Sequence, residues 1–582
     1  MRLFLGCMLA VALAFSPALA GTNDSRSGGS GEAKASNANS NSTSETAAKP
    51  DASAEPATND TERPAEAPSP SLAADSSSPA LSASASPSST SRRASASLPA
   101  ASVSAATAAR PLPTDPQNSG AQAAPSPLSF NIGSAKFTPG GFIDLTNFFR
   151  TKDIGSGIGT SFNGVPYNNS LPLAALTEDH FSLQNSRVTL RVDSNVAGGA
   201  AVGYLEADFL GFTNDNLNVT SNSDTLRLRV YFLDYRRGKI EILAGQDWSM
   251  VTPSRTGIAF MPADVFNTQD MDTNYNLGLQ WERTPQFRLI FHPTNTFAIG
   301  FGIENPQQYT GSAVTFPTTP IAFNTTQVNT GTSLNGTAIG ASPSTAVNSL
   351  ATPDLAPDLI VKAAYDPKVT GHALHFEAYG IFRTFRIDSF SGTTNLGTTT
   401  IHGGAGSFNS NYEIFKNFKI YETAYFSSGG GREIGNSNVP DFIVTPAASA
   451  TSTLGLSPVR SDSGILGLEY QAAPKFLFYG YYGYVYVGQD FASCGTAAAP
   501  ATCGYGYYPI GAAAGSANSN NRSFYEPTIG FVPTFWRNPN YGALSLITQF
   551  SYLSRSPWYV AAGTPRNAHA AMAWIDLRYT LP

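Results

Sequence analysis

The chain has 582 residues, a formal net charge of −6 and only 13% charged side chains, with no block of Lys or Arg that would serve nucleic acid. No stretch beyond the first twenty residues holds the 18 consecutive apolar residues of a spanning helix, so any residence in a membrane must be through strands. Glycine is abundant at 52, and the aromatics are dominated by 36 Phe and 25 Tyr, a composition of Gly-punctuated strands with aromatic girdles rather than of a helical enzyme.

Residues 1–20 read as a secretory leader: Arg2, an apolar run from Leu3 to Phe15, then Ser16-Pro-Ala-Leu-Ala20 with small residues at the cleavage positions. Cleavage is expected after Ala20. Residues 21–127 are almost entirely Ser, Ala, Thr, Pro, Asn and Gly. Such a segment cannot bury enough apolar surface to offset its ordering entropy, and it is expected to be a disordered periplasmic linker. A coil of that length spans roughly 50–60 Å end to end. Two readings of it stand open, a spacer and a tether that contacts the cell wall.

From about residue 128 onward the period is two. Val188, Leu190 and Val192 alternate with Arg187, Thr189, Arg191 and Asp193. Leu205, Ala207 and Phe209 alternate with Glu206 and Asp208. Leu226, Leu228, Val230 and Phe232 alternate with Arg227, Arg229, Tyr231 and Leu233. Runs of this kind are predicted at 140–150, 181–194, 200–212, 225–237, 239–248, 283–292, 297–304 and 358–366. Eight more follow at 372–386, 402–415, 417–427, 463–472, 475–488, 522–536, 541–556 and 570–581. The connections alternate long and short throughout, with 387–401 among the long ones. Short turns such as Gly238, Lys416 and Ala473-Pro474 carry turn residues or are too brief for anything but a hairpin. An even strand count with every long loop at one end describes a 16-stranded antiparallel transmembrane β-barrel, all-β, filling residues 128–582. The last strand closes it, with Trp574, Asp576, Arg578 and Thr580 on one face and Ile575, Leu577, Tyr579 and Leu581 on the other.

The chain shows no constellation for covalent chemistry. There is no Gly-x-Ser-x-Gly elbow and no Cys-x-x-Cys. His372 and His375, three apart on one strand, send their rings to opposite faces, which argues against a metal site. No cofactor and no enzymatic activity are expected. Cys494 and Cys503, separated by eight residues in an exported segment, read as either a loop-stapling disulfide or two free thiols, the first fitting an oxidising compartment.

If the apolar alternates meet lipid, then Arg187, Arg191, Glu206, Asp208, Arg227 and Arg229 line a lumen. Two readings follow: a self-neutralised lattice that stiffens the wall, or a basic strip that attracts small anions. The connection 249–282 is the candidate constriction. It carries Arg255, Asp264, Asp270 and Asp272, with Ile258, Phe260, Met261, Val265 and Phe266 to pack against the wall. Its acids are expected opposite the wall arginines.

At these residues a family comes into view. Gln184-Asn-Ser-Arg187, Glu206-Ala-Asp208, Leu226-Arg-Leu-Arg229-Val-Tyr231, Ala244-Gly-Gln-Asp-Trp248, Thr284-Pro-Gln-Phe-Arg288 and Gly302-Ile-Glu-Asn-Pro306 occur in an order that resembles the DcaP-like outer-membrane porins. The resemblance covers most of residues 137–390 and implies a homotrimeric, 16-stranded channel in outer-membrane lipid. It further implies passive diffusion of small hydrophilic solutes, with some preference for anionic or dicarboxylic compounds. The chain departs from the family in two places. It ends on Pro582 rather than an aromatic, and the Ser/Ala/Pro linker stands where better-known members carry a helical periplasmic segment. An alternative from another class is a structural or adhesive surface barrel with a closed lumen and Ser/Thr/Asn-rich loops at 305–357 and 428–462.

Overall fold

The computed structural model describes residues 126–211, 224–265, 268–317, 321–323, 327–330, 352–495, 501–508 and 519–582. The expected leader lies outside the described residues, as does the expected linker but for its last two positions.

Sixteen antiparallel strands form the wall, at the sixteen places the alternation predicts. The first eight are β1 (Ala135–Arg150), β2 (Glu178–Ser182 continued by Arg187–Val196), β3 (Gly199–Asp208), β4 (Arg227–Arg237), β5 (Ile240–Trp248), β6 (Arg283–Thr294), β7 (Phe297–Glu304) and β8 (Asp358–Tyr365). The second eight are β9 (His372–Ser391), β10 (Thr394–Phe415), β11 (Phe418–Ser428), β12 (Arg460–Ala473), β13 (Phe476–Val487), β14 (Asn521–Asn538), β15 (Gly542–Pro557) and β16 (Ala568–Thr580). Each pairs with its neighbour in sequence, and β16 closes on β1 from Phe142↔Thr580 to Arg150↔Met572. Closure leaves no unpaired strand edge, the condition for a sheet to cross hydrocarbon.

The wall is amphipathic in the inverted sense. Outward positions are apolar and exposed: Leu228, Leu233, Phe287, Leu289, Phe301, Val361, Leu466 and Leu468. Inward positions are polar and covered: Asp144, Arg191, Glu206, Arg288, Lys362, Glu377, Glu469, Glu526 and Asp576. A water-soluble sandwich would bury the first set and expose the second. Only a membrane satisfies both faces at once. Aromatic rings gather at the short-turn end, where Phe415 stacks on Phe418 at 4.7 Å, Phe476 on Phe531 at 6.0 Å, and Trp536 meets Tyr579 at 6.1 Å. Amphipathic rings of this kind favour a headgroup boundary. Two of the tight turns there need a left-handed residue, supplied by Gly238 (φ 60°) and Asn417 (φ 70°).

Three local departures separate the structure from the alternation read off the sequence. The first is a β-bulge between β3 and β4: Glu206 pairs with Val230 but Ala207 with Leu228, so Arg229 is extra. A bulge inserts one residue and exchanges the faces beyond it. Val230 and Phe232 therefore point inward, 0% and 7% exposed, and Tyr231 and Leu233 take the outer face at 42% and 55%. The second is a break in β2 at residues 183–186, where the chain turns in so that Asn185 donates to Asp144 Oδ2 at 2.8 Å and Ser186 Oγ accepts from Asp144 N. The third concerns residues 387–401, expected as a long loop. β9 and β10 instead continue as a paired hairpin to Ser391↔Thr394, and Gly392 sits in the turn. Its inner residues Phe385 and Ile387 pack on Phe442, Val444 and Leu454, so protein rather than lipid covers it.

Placing Arg at Val361, outward on β8, is expected to destabilise the barrel by about 2–4 kcal/mol, read from the urea-unfolding midpoint in lipid vesicles. Arg at Leu176, outside the wall strands, is expected to shift it by less than about 0.5 kcal/mol.

Candidate functional site

The charged residues of β2, β3 and β4 converge at one sector of the wall. Arg229 reaches Glu206 and Asp208, at 2.6 Å each, and the bulge that makes it extra also turns it toward both. Arg227 grips Asp208 with two bonds, of 3.0 and 2.7 Å, and Arg187 lies 3.5 Å from Glu206. Arg191 stands apart from this group and bonds Asp193 of its own strand at 2.7 Å. Arg229 also sits over the Trp248 ring at 5.4 Å and bonds the Tyr275 hydroxyl at 3.1 Å. Burial within the lattice is uneven. The side chains of Glu206 and Asp208 are 3% and 0% exposed, whereas those of Arg187 and Arg227 are 18% and 36% exposed.

The connection 249–282, called L3 here, folds inward and follows the inner wall. Met250 and Ile258 lie against β7 where Gly300 and Gly302 leave room; a Cβ on either glycine would come within about 3.1 Å of those side chains. Thr252 O accepts from Lys362 of β8 at 2.9 Å, and Ser254 N donates to Glu377 of β9 at 3.1 Å. Arg255 crosses to β11 and β12, bonding the Tyr421 hydroxyl at 2.7 Å and Glu469 at 2.9 Å. A single helical turn, Pro262–Val265, follows. The chain then meets β13 through Gln269 N and the Tyr481 hydroxyl, β15 through Met271 N and Gln549, and β14 through Leu277 N and Glu526.

Of the predicted constriction residues, Arg255 is buried in its pair with Glu469. The side chain of Asp264 lies outside the described residues, as does Phe266. Asp272 is held at L1 (residues 151–177), accepting from Thr160 N at 3.0 Å and from Asn274 N at 2.8 Å. Both carboxylate oxygens of Asp270 are buried with no hydrogen-bond donor. Burial, with Glu526, Asp272 and Glu469 around it, pushes the Asp270 carboxyl well above its ordinary range. The expected arrangement, loop acids opposite wall arginines, is therefore not what L3 adopts: Tyr275 meets Arg229, and Asp270 faces acids. Parity explains it, since β12 and β14 turn Glu469 and Glu526 inward where Asp270 arrives.

Several lumen charges escaped a sequence reading confined to β2–β4. Arg578 forks onto Asp144 with two 2.7 Å bonds, Lys362 pairs with Glu377 at 2.8 Å, Arg383 with Asp441, and Arg288 with Asp247 at 3.3 Å. Their signal was present: each wall member of these pairs lies at an inward position of its strand. Arg283 was also missed. It is half-buried, its guanidinium lies 5.2 Å over Trp248, and it has no ion pair among the described residues. Cys494 and Cys503 are joined as a disulfide across the small hairpin Asp490–Ser493 and Thr502–Tyr505. At the long-loop end, two adjoining polar cavities of about 440 and 420 Å³ share Asn163, Ser312 and Asn438.

The architecture is that of the porin-type outer-membrane barrels. The chain superposes on the outer membrane channel DcaP of Acinetobacter baumannii with a TM-score of 0.50 at 14% identity, covering 78% of this chain and 99% of that one. It is also similar to an anion-selective porin from Comamonas acidovorans, with a TM-score of 0.41, 12% identity, and 77% and 99% of the two chains covered. No family model and no curated protein sequence matches the chain.

Arg255→Ala is expected to cost about 3–5 kcal/mol, because Glu469 is left as a buried, unpaired charge. The loss is read as a shift in the urea midpoint of the vesicle-inserted barrel. A shift under about 1 kcal/mol would mean that Arg255 does not anchor L3.

Proposed function

We propose that this chain is a porin of the outer membrane, a water-filled channel through which small hydrophilic solutes, anions by preference, diffuse passively. The observation that carries the reading is the uneven burial in the β2–β4 lattice. The carboxylates of Glu206 and Asp208 lie at 3% and 0% exposure behind guanidinium groups at 18% and 36%. A solute passing this sector meets Arg187 and Arg227 and not the acids that position them, and half-buried Arg283 adds a further cation nearby. Fixed charge facing a narrow, low-dielectric passage concentrates the opposite ion.

The ordered motifs from Gln184 to Pro306, together with the fold shared with the DcaP channel, support placing the chain near the DcaP-like porins. On that reading the functional unit is a homotrimer in outer-membrane lipid, and the solutes include dicarboxylates. Residues 1–20 would direct export, and residues 21–127 would lie in the periplasm as a spacer or wall-contacting tether.

The test is the reversal potential of the purified protein in a planar bilayer under a salt gradient. Wild type is expected to favour chloride over potassium, and Arg187→Gln/Arg227→Gln to lower the permeability ratio several-fold. An unchanged ratio would leave the arginines as scaffolding. An inserted barrel that passes no current would favour the closed surface barrel.

A further inference from the structure

L3 meets the far wall through residues 268–280, and the acids there are oddly matched. Glu526 Oε2 accepts from Leu277 N at 2.7 Å, but Glu526 Oε1 is buried without a donor although the residue is 0% exposed. Both oxygens of Asp270 are in the same condition. The charged groups that act on Asp270 are Glu526 on β14, Glu469 on β12 and Asp272 on L3 itself, all acids. The phenols on this side, Tyr479 and Tyr481 of β13, are committed elsewhere: Tyr479 donates to Thr548 O and Tyr481 donates to Glu469 while accepting from Gln269 N. The neighbouring cations are also committed. Arg255 is bonded to Glu469, Arg578 to Asp144 and Arg150 to Glu178. Two ionised carboxylates without a donor or cation between them repel strongly in a buried site. One proton removes the repulsion, since a protonated carboxyl becomes a donor for the unpaired oxygen of its neighbour.

Resting on the channel reading above, we propose that Asp270 and Glu526 form a proton-held latch: with Asp270 protonated, residues 268–272 are seated on the β12–β14 wall, and ionisation of Asp270 releases them into the passage. Asp272 is not part of the latch, because Thr160 N and Asn274 N already satisfy it as an acceptor. The elevated affinity of Asp270 for its proton agrees with this geometry. The sign follows from linkage. A carboxyl that holds its proton more tightly when folded makes the seated state lose stability as pH rises from the unfolded-state value through the folded one. The wall blocks movement outward, so the released segment moves into the lumen and obstructs it.

The test pairs two readouts over pH 5.5–8.5. In planar bilayers wild type is expected to close several-fold more often at the alkaline end, while Asp270→Asn, whose amide donates at every pH, and Glu526→Gln, whose amide donates to Asp270, show a closing rate nearly independent of pH. In detergent gels the heat-modifiability midpoint of wild type is expected to fall relative to that of Asp270→Asn as pH rises. A wild-type closing rate that ignores pH, or an Asp270→Asn channel that follows wild type, would overturn the latch. If the barrel conducts at no pH, the channel reading fails and the gel readout decides the latch alone: a constant difference between the two midpoints would refute it.

Discussion

The backbone donors of L3 have nowhere to go but the wall, and that constraint shapes the lumen. A loop folded inside a closed barrel forms no ladder of its own, and each buried N–H needs an acceptor. Met250 N ends on Glu304, Ser254 N on Glu377, Gly257 N on Asp366, Leu277 N on Glu526, and Met271 N and Asp272 N on Gln549. Those side chains come from β7, β9, the turn after β8, β14 and β15. The inward acids of the wall are thus largely spent on holding a loop, and they are covered in doing so. Cations are distributed differently. Lys362 and Arg255 help to fasten L3, but Arg187 and Arg227 stay partly exposed. A chain of net charge −6 can in this way present a basic surface where its passage is narrow.

Much of the fold was legible because lipid outside and water inside impose the same alternation on every strand. β7 was read to its exact residues, 297–304, since Ile299, Phe301 and Ile303 face out without interruption. The bulge at Arg229 was not legible. Val230 and Phe232 are as apolar as Leu226 and Leu228, and nothing in composition records that an extra residue exchanges the faces between them. The β9–β10 hairpin was missed for the opposite reason. Beyond the lipid its outer face turns to Thr, Ser and Gly, so the pattern fades while the pairing continues.

The site was legible in part. That residues 249–282 fold inward followed from their length and their apolar content. Where each acid lands did not, because Asp270 meets Glu526 across more than 250 residues of sequence, and only the closed register decides which strand faces it. The charges on β2–β4 were found because they are dense. Those at Asp144, Lys362, Arg383 and Glu469 are spread one or two to a strand and become a belt only when the barrel closes.

Everything assigned to the lumen depends on water and ions crossing it. The most direct measurement is the current through a planar bilayer after adding the purified, folded protein at low concentration. Discrete, reproducible conductance steps that accumulate with insertion are the expected result. A bilayer that keeps its seal resistance while the same preparation is shown to be inserted in lipid would contradict the account.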